Sequence, residues 1–382
     1  MAAHLALATA FNLRVPLGGA PDEPAHAAYI QSLAGGHLPV WDWPRDPQSY
    51  EAFQPPLYYA GAALWLLPVR SASPAFQVHW LRLFSTLLHL LALACLWAMV
   101  RAWLPAGAAA GALAAAALLP MFAFIGASVS NDALANLAGA GLLWFWFAQR
   151  RQPSGAGQAL RLGLAAGLAL LAKATLAAPV FCMLLERLWV WRREQGARSA
   201  ARRGALLVGA GAAVCGALLV RNLALYGDVW GLSRIGAYDQ QAFGWSRLPL
   251  WLELFFQSFW GRFGWMTQPL PGWCYVLFLA VSLLSGLGLL ADRSRMFRDE
   301  GRLLLAVFAA ALAQNFWYGF LLTSQPQARY SFVALAAWAP LFCGGLGYWL
   351  ERLPAYARGP VRAGLILAAL AVDLLALRAA SS

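Results

Sequence analysis

The stretch that decides the fold is Leu303–Leu322, LLLAVFAAALAQNFWYGFLL, which contains no Asp, Glu, Lys or Arg. A helix of about 20 apolar residues matches the hydrocarbon thickness of a bilayer. In lipid such a segment must be helical, because every backbone polar group needs a partner within the segment. This stretch therefore predicts a membrane-spanning helix.

Similar apolar runs recur along the whole chain. Of the 382 residues, 61% are hydrophobic and 12% are charged, whereas a soluble domain has about 45–50% and 25%. The runs predict an all-α, polytopic bundle of about eleven transmembrane helices in a single integral membrane domain, residues 1–382. The predicted spans are Met1–Leu13, Trp80–Val100, Gly107–Ile125, Ala133–Ala148, Leu160–Leu171, Leu176–Val190, Ala205–Leu223, Trp273–Leu290, Leu303–Leu322, Tyr330–Leu350 and Ala363–Leu377.

The basic residues set the topology. Short loops near positions 101, 149–161, 186–203, 291–302 and 351–362 hold 17 of the 28 Lys and Arg residues. The positive-inside rule places these loops in the cytoplasm. Two long loops, Arg14–Val78 and Tyr226–Pro271, then share the outer face. Because the net charge of +12 is distributed between apolar spans, it indicates membrane topology and excludes a nucleic-acid groove.

The first outer loop contains two short helix patterns, Ala25–Ala34 and Pro56–Leu67. Both are too short to cross a bilayer, so they are predicted to lie at the membrane surface as juxtamembrane helices.

Acidic residues are scarce, sixteen in all, and two of them are adjacent just after the first span. If Pro24 begins a helix, Asp22 and His26 share one face, because positions i and i+4 are neighbours. This pattern favours a carboxylate held at the membrane surface as a general base or metal ligand. The structural alternative is that Glu23 caps the helix and complements its dipole.

Three cations are predicted on the outer side, against the positive-inside trend. Lys173 is the only lysine in the chain and lies between two apolar spans. Arg221 ends a span and Arg329 begins one. A cation at this depth suggests a functional site with an anionic partner such as a lipid phosphate. The alternatives are snorkelling of Lys173 to the interface and pairing of the arginines with acidic loop residues such as Asp228.

Four further polar residues occur at predicted helix starts or span ends: Gln54, Tyr58, Asn131 and Asp132. Helix capping and interfacial placement of tyrosine explain such residues structurally. A role in positioning the outer loop or an acceptor is the functional alternative.

Six short motifs, in this order, resemble those of bacterial GT-C-type glycosyltransferases, relatives of the protein mannosyltransferases and the lipid A aminoarabinose transferases. They are Pro21–His26 (PDEPAH), Gln54–Tyr59 (QPPLYY), Asn131–Leu134 (NDAL), Ser258–Gly261 (SFWG), Phe263–Trp265 (FGW) and Gln327–Tyr330 (QARY). The Asp-Glu pair is the most specific of them.

This resemblance implies a bundle of about a dozen helices with a large first outer loop. It implies transfer of a sugar from a polyprenyl-phosphate carrier to an envelope glycan, lipid or protein on the outer face of a bacterial inner membrane. Asp22 would be the catalytic base, assisted by Glu23, and Lys173, Arg221 and Arg329 would bind the carrier phosphate. Residues His26, Gln54, Tyr58, Asn131 and Asp132 would position the acceptor or the loop.

A divalent metal, Mg²⁺ or Mn²⁺, is a further implication of the resemblance, and Asp22, Glu23 and Asp132 would be its ligands. Two other functions stay open at this point. A transporter or flippase for a lipid-linked sugar would need polar groups deep in several spans. A non-catalytic membrane scaffold would keep the fold without the chemistry.

Overall fold

The computed structural model describes residues 1–232, 244–292 and 299–381. Within these residues the chain forms fourteen α-helices and one antiparallel pair of two-residue strands, which confirms the all-α class. The helices are α1 Ala2–Arg14, α2 Glu23–Ala34, α3 Leu57–Leu66, α4 Pro74–Arg101, α5 Ala106–Ala117, α6 Pro120–Gly126, α7 Asp132–Arg150, α8 Ala156–Ala172, α9 Ala177–Tyr226, α10 Leu248–Trp260, α11 Gly272–Ala291, α12 Asp299–Phe316, α13 Leu335–Leu350 and α14 Ala355–Ala379. The strands are β1 Arg262–Phe263 and β2 Gln268–Pro269.

Six helices in the described residues are long and apolar enough to cross a membrane, and a seventh span results if α5 and α6, bent by 62°, are one broken span. The chain is therefore a multi-pass membrane protein, but the count of about eleven is not reproduced. Helices α1 and α8 have 13 and 17 residues, fewer than the roughly 20 that a bilayer requires. Helix α9 counts once although it covers two predicted spans.

Helix α9 is interrupted at one residue that has non-helical backbone angles. Gly196 has φ 83° and ψ 167°, which breaks the helix within the arginine-rich segment between the predicted spans Leu176–Val190 and Ala205–Leu223. Glycine suits this position because a Cβ disfavours positive φ. The predicted pair of spans on either side of position 173 is also seen as two helices, since α8 ends at Ala172 and Lys173 has an extended backbone.

The first outer loop contains both predicted surface helices. Helix α2 has Pro24 in its first turn, and α3 follows Pro56 directly and continues as a 3₁₀ turn over Leu67–Val69. Proline is favoured at helix starts because its missing N–H would have no partner there. The stacked rings of Tyr29 and Tyr59, 3.8 Å between centroids, join α2 to α3.

The second outer loop, Tyr226–Pro271, contains α10 and the β1–β2 pair, and residues 233–243 of this loop lie outside the described part of the chain. The same is true of residues 293–298 in the predicted cytoplasmic loop 291–302. Ser258 Oγ of α10 donates to the Pro326 carbonyl and accepts from the Ala328 N–H, at 2.9 Å each. These bonds fix the start of a 3₁₀ helix, Ala328–Ala334, which carries Arg329.

A close backbone contact brings α7 against this 3₁₀ helix. A Cβ on Gly139 would lie 1.9 Å from the Val333 carbonyl oxygen, so only glycine permits the approach. Helix α7 begins at Asp132 and the 3₁₀ helix begins at Ala328. The contact therefore holds the start of both elements, and with them Asp132 and Arg329, on the same side of the bundle.

Candidate active site

A partly open cavity with an empty volume of about 800 Å³, counting the space open to solvent, lies between the first outer loop, the α8–α9 junction and the region around α12. A π-helix, Trp317–Leu322, follows α12 and supplies two aromatic residues of its wall. π-Helical turns are uncommon and occur frequently at functional sites. The ionisable groups of the lining are Asp22, His26, Tyr50, Glu51, Lys173, Tyr318, Arg329 and Tyr330.

Asp22 lies at the N-cap of α2 but does not cap it. Its backbone is left-handed, φ 60° and ψ 4°, and its side chain accepts no bond from the helix N–H groups. The carboxylate instead accepts a hydrogen bond from Arg329 Nη2 at 2.7 Å through Oδ2. Asp tolerates this conformation better than most residues, so the turn directs the side chain into the cavity. Asp22 and His26 share this wall, as the i,i+4 spacing predicts.

Arg329 and Lys173 converge on Asp132. Arg329 Nη1 is 3.3 Å from Asp132 Oδ2 in an ion pair without good hydrogen-bond alignment. Lys173 Nζ donates to Asp132 Oδ1 at 2.6 Å and to Asn131 Oδ1 at 2.7 Å. The Tyr330 ring centroid is 5.4 Å from Lys173 Nζ, within cation–π range. Asp22, Arg329, Asp132 and Lys173 thus form one continuous network of ion pairs.

This network of ion pairs places both of its cations, Arg329 and Lys173, beside the cavity. The Arg329 and Lys173 side chains are 2% and 8% exposed, yet both residues line the cavity. Buried cations of this kind interact strongly with an anion that enters, because little water screens them. Burial, opposed by Asp22 and reinforced by Lys173 and Arg329, lowers the pKa of His26 to about 3. His26 is therefore neutral at physiological pH.

Residues 44–331 match the model of a family described as predicted membrane protein, DUF2142. The chain belongs to the DUF2142 family. The match covers the cavity residues from Tyr50 to Tyr330 and leaves out Asp22 and His26. No curated protein matches the sequence.

Solved structures of GT-C proteins share the fold of this DUF2142 chain. ArnT from Cupriavidus metallidurans, bound to undecaprenyl phosphate, superposes with a TM-score of 0.59 at 17% identity over 95% of this chain. The Archaeoglobus fulgidus oligosaccharyltransferase AglB, in complex with an inhibitory peptide and a dolichol-phosphate, gives 0.58 at 12% identity over 99%. The same archaeal enzyme in complex with Zn and sulfate gives 0.57 at 13% identity, also over 99%.

The DUF2142 chain is shorter than these structures. It spans 61% of the ArnT chain and 55% and 53% of the two oligosaccharyltransferase chains. The resemblance inferred from the motifs is confirmed at the level of the GT-C fold.

Glu23 is adjacent to Asp22 but faces the protein interior. Arg82, fully buried on α4, donates to both of its carboxylate oxygens, from Nε at 2.8 Å and Nη2 at 2.6 Å. The N–H groups of Gly18 and Val129 donate to the same carboxylate at 2.9 and 3.0 Å. Arg82 also donates to the carbonyls of Asn12, Val15 and Pro16. Glu23 is therefore outside the lining of the cavity, with both oxygens occupied.

Of the other predicted site residues, some line the cavity and others bind elsewhere in the protein. Gln54 lines the cavity, and Asn131 touches it only through Lys173. Tyr58 is buried on α3 with its hydroxyl 2.9 Å from Ser85 Oγ. Arg221 donates to the Pro39 carbonyl at 2.7 Å, away from Lys173 and Arg329, and so ties α9 to the first outer loop. The structure brings together two of the three predicted phosphate-binding cations.

The predicted metal ligands are likewise not together. Glu23 is paired with Arg82, and Asp132 with Lys173 and Arg329. Asp22, although also paired with Arg329, lies with His26 and Glu51, and one ligand atom from each of these three residues falls within 4.8 Å of the others. Burial and the Asp22 carboxylate raise the pKa of Glu51 to about 8. Carboxylate and imidazole groups are suitable ligands for a divalent metal. The residues present therefore fit a metal, with a different ligand set.

Two residues with a part in this arrangement are not predicted from the sequence: Glu51, which lines the cavity, and Arg82, which binds Glu23 in the interior. Glu51 is one of few acids, but it precedes a helix start with an ordinary structural explanation. Arg82 gave a usable signal, because a charge inside an apolar span indicates a specific buried partner. Its partner Glu23 is 59 residues away, and no local pattern connects the two.

Proposed function

We propose that this protein is a membrane glycosyltransferase that moves a sugar from a polyprenyl-phosphate carrier to an envelope acceptor. The observation that carries the proposal is the convergence of Asp22, Arg329, Asp132 and Lys173 at one cavity. A carboxylate that can take a proton and two cations that can hold a phosphate are the groups that this transfer needs. The lipids bound in the similar GT-C structures, undecaprenyl phosphate and dolichol-phosphate, are carriers of the same kind.

Asp22 is the proposed general base. Its Oδ2 is held by Arg329, and its side chain keeps 18% of its surface exposed, which leaves the other oxygen for the acceptor. The acceptor hydroxyl transfers its proton to Asp22 as its oxygen forms a bond to the anomeric carbon of the sugar. The bond between that carbon and the carrier phosphate oxygen breaks, and both bonding electrons leave with the phosphate.

Lys173 and Arg329 are proposed to stabilise the departing phosphate. Charge develops on the leaving oxygen in the transition state, and cations already fixed in a poorly hydrated site stabilise it without rearrangement. Arg329 offers the planar fork that suits phosphate oxygens, and Lys173 offers a compact point charge. Asp132 and Asn131 hold Lys173 in place by accepting hydrogen bonds from its Nζ. Arg221, bound elsewhere, is not assigned to the phosphate.

The orientation follows from the arginine distribution. The positive-inside rule assigns the arginine-rich short loops to the cytoplasm, and so assigns the first outer loop, which supplies Asp22, His26 and Glu51, to the other face. We infer a bacterial inner membrane protein in a single integral domain, with its active site facing outward and its acceptor reaching it past the two outer loops. A flippase would also account for cations that hold a lipid phosphate, but neither it nor a scaffold needs the partly exposed Asp22 carboxylate beside them.

Transfer in liposomes tests the proposal. Purified protein is reconstituted with radiolabelled polyprenyl-phosphate sugars and crude envelope acceptors, and wild type is compared with Asp22→Asn. Asparagine retains an oxygen for Arg329 but cannot take the proton, so we expect the rate to fall by about 10²–10⁴. Asp42→Asn, an exposed change in the same loop, should keep the wild-type rate.

Two results would count against this function. Equal transfer by wild type and Asp22→Asn would remove the role of the base. Absence of transfer in both, accompanied by movement of the labelled lipid between leaflets, would identify a flippase.

A further inference from the structure

Three side chains from two separate segments meet on one wall of the cavity. Asp22 and His26 lie one helical turn apart at the start of α2, and the His26 N–H donates to the Asp22 carbonyl at 3.0 Å. Glu51 comes from the segment before α3. One ligand-type atom from each residue lies within 4.8 Å of the other two. Atoms this close can converge on a single ion with small side-chain movements.

One carboxylate oxygen of Glu51 lacks a hydrogen-bond partner on this wall of the cavity, among the residues that the structure describes. The residue is 4% exposed, and its Oε2 has no hydrogen-bond partner in the part of the chain that the structure describes. Glu51 Oε2 is 3.9 Å from His26 Nδ1, and that nitrogen is hydrogen-bonded to the Tyr59 hydroxyl at 2.9 Å. A buried carboxylate without a partner is costly, so a ligand that compensates it would be stabilising.

The cations of the site do not fill this role. Lys173 Nζ is bound by Asn131 and Asp132, and Arg329 is bound by Asp22, Gln327 and Asp132. Glu23 is likewise satisfied by Arg82. Of the carboxylates near the cavity, Glu51 is therefore the one without an ion pair to a Lys or Arg in the part of the chain that the structure describes.

We propose that Asp22, His26 and Glu51 bind a divalent cation at this wall. Two carboxylate oxygens and an imidazole nitrogen favour Mn²⁺ or Zn²⁺ over Ca²⁺, which prefers oxygen ligands alone. Asp22 contributes the oxygen that Arg329 does not hold; this oxygen has two lone pairs, one for the cation and one for the acceptor hydroxyl. When bound, such a cation supplies positive charge close to the acceptor hydroxyl and favours its deprotonation.

A binding measurement tests this site without any sugar donor, so its outcome is separate from that of the transferase assay. The full chain in detergent is stripped with a chelator and titrated with MnCl₂ while free Mn²⁺ is followed by electron paramagnetic resonance. We expect one tight Mn²⁺ per chain, displaced by Zn²⁺. Glu51→Gln and His26→Gln should each weaken binding by at least about tenfold.

Matched variants separate loss of a ligand from loss of the fold. Glu253→Gln and His37→Gln change exposed residues of the same types and should bind Mn²⁺ like wild type. Asp132→Asn should also keep most of the affinity, because Asp132 is bound to the cations.

Thermal unfolding gives a second readout that loss of folding cannot imitate. Without metal, Glu51→Gln should be at least as stable as wild type, because it replaces a buried carboxyl group whose Oε2 has no hydrogen-bond partner among the described residues. Added Mn²⁺ should raise the unfolding temperature of wild type but not that of Glu51→Gln. Absence of Mn²⁺ and Zn²⁺ binding by wild type, or unchanged binding by both ligand variants, would overturn the proposal.

Discussion

Asp22 and Glu23 are adjacent in sequence, and each is paired with an arginine, yet their surroundings are opposite. Glu23 is 1% exposed and receives four hydrogen bonds, two of them from Arg82. Asp22 keeps part of its surface open to the cavity and gives only one oxygen to Arg329. One carboxylate is occupied by the protein and the other is left available to a ligand.

The backbone between them explains this difference. Asp22 has φ 60°, and the regular helix begins at Glu23, so the two side chains leave the chain in different directions. The interior pair joins the end of α1, the start of α2, α4 and the segment before α7. It thereby fixes the turn that presents Asp22. A structural site and a reactive site can therefore be made from one dipeptide.

The largest effect is expected at Arg82. Arg82→Met leaves Glu23 buried without its partner and removes donors from three carbonyls, so the free energy of unfolding should fall by roughly 3–5 kcal/mol. Thermal unfolding in detergent measures it. Arg45→Met, which breaks an exposed pair with Asp42, should cost less than about 1 kcal/mol. A stable Arg82→Met protein would show that the interior pair does not hold the turn.

The next effect concerns the reactive side of the comparison. Lys173→Met removes one of the two cations proposed for the phosphate, and the rate of transfer should fall by about 10²–10³. Lys173→Arg keeps the charge with another geometry and should recover part of the rate. Initial rates in liposomes measure both, with Arg70→Met as an exposed control from the first outer loop. An unchanged rate for Lys173→Met would remove the ammonium from the mechanism.

The sequence alone predicts much of this arrangement because charges are rare in apolar segments. Lys173 and Arg329 stand out because they oppose the positive-inside trend, Asp22 because acidic residues are scarce, and the two surface helices because of their length and prolines. The pairing of these residues could not be predicted, because Asp22 and Arg329 are 307 positions apart. The neighbouring pair of Asp132 and Arg329 is likewise long-range, and it is supported by a contact that only glycine allows, Gly139 against the Val333 carbonyl.

The number of membrane-spanning helices is also not determined by the sequence pattern alone. Hydropathy finds apolar segments, but it does not show whether a short segment such as α8 crosses the bilayer. It also does not show whether the two apolar segments of α9 are separate helices or one helix with a kink at Gly196. Those outcomes depend on packing between helices. A Cβ on Gly163 of α8 would lie 2.2 Å from the Leu207 carbonyl oxygen, so α8 packs closely on the second half of α9, which supports a short helix that lipid alone would not.

The smallest effect on activity is expected at Glu23, and it tests the comparison directly. Glu23→Gln preserves the shape but removes the charge and turns an amide N–H₂ toward Arg82 or a backbone N–H, so the free energy of unfolding should fall by about 1–3 kcal/mol. The folded fraction should keep a kcat close to wild type, because the hydrogen bonds of the Glu23 carboxylate come from Arg82 and two backbone N–H groups and not from the groups that handle the proton or the phosphate. Rates normalised to folded protein, measured beside Asp22→Asn, decide this. If Glu23→Gln lost transfer as completely as Asp22→Asn while unfolding at the wild-type temperature, Glu23 would be a catalytic group, and the division of the dipeptide into an interior and a reactive half would be wrong.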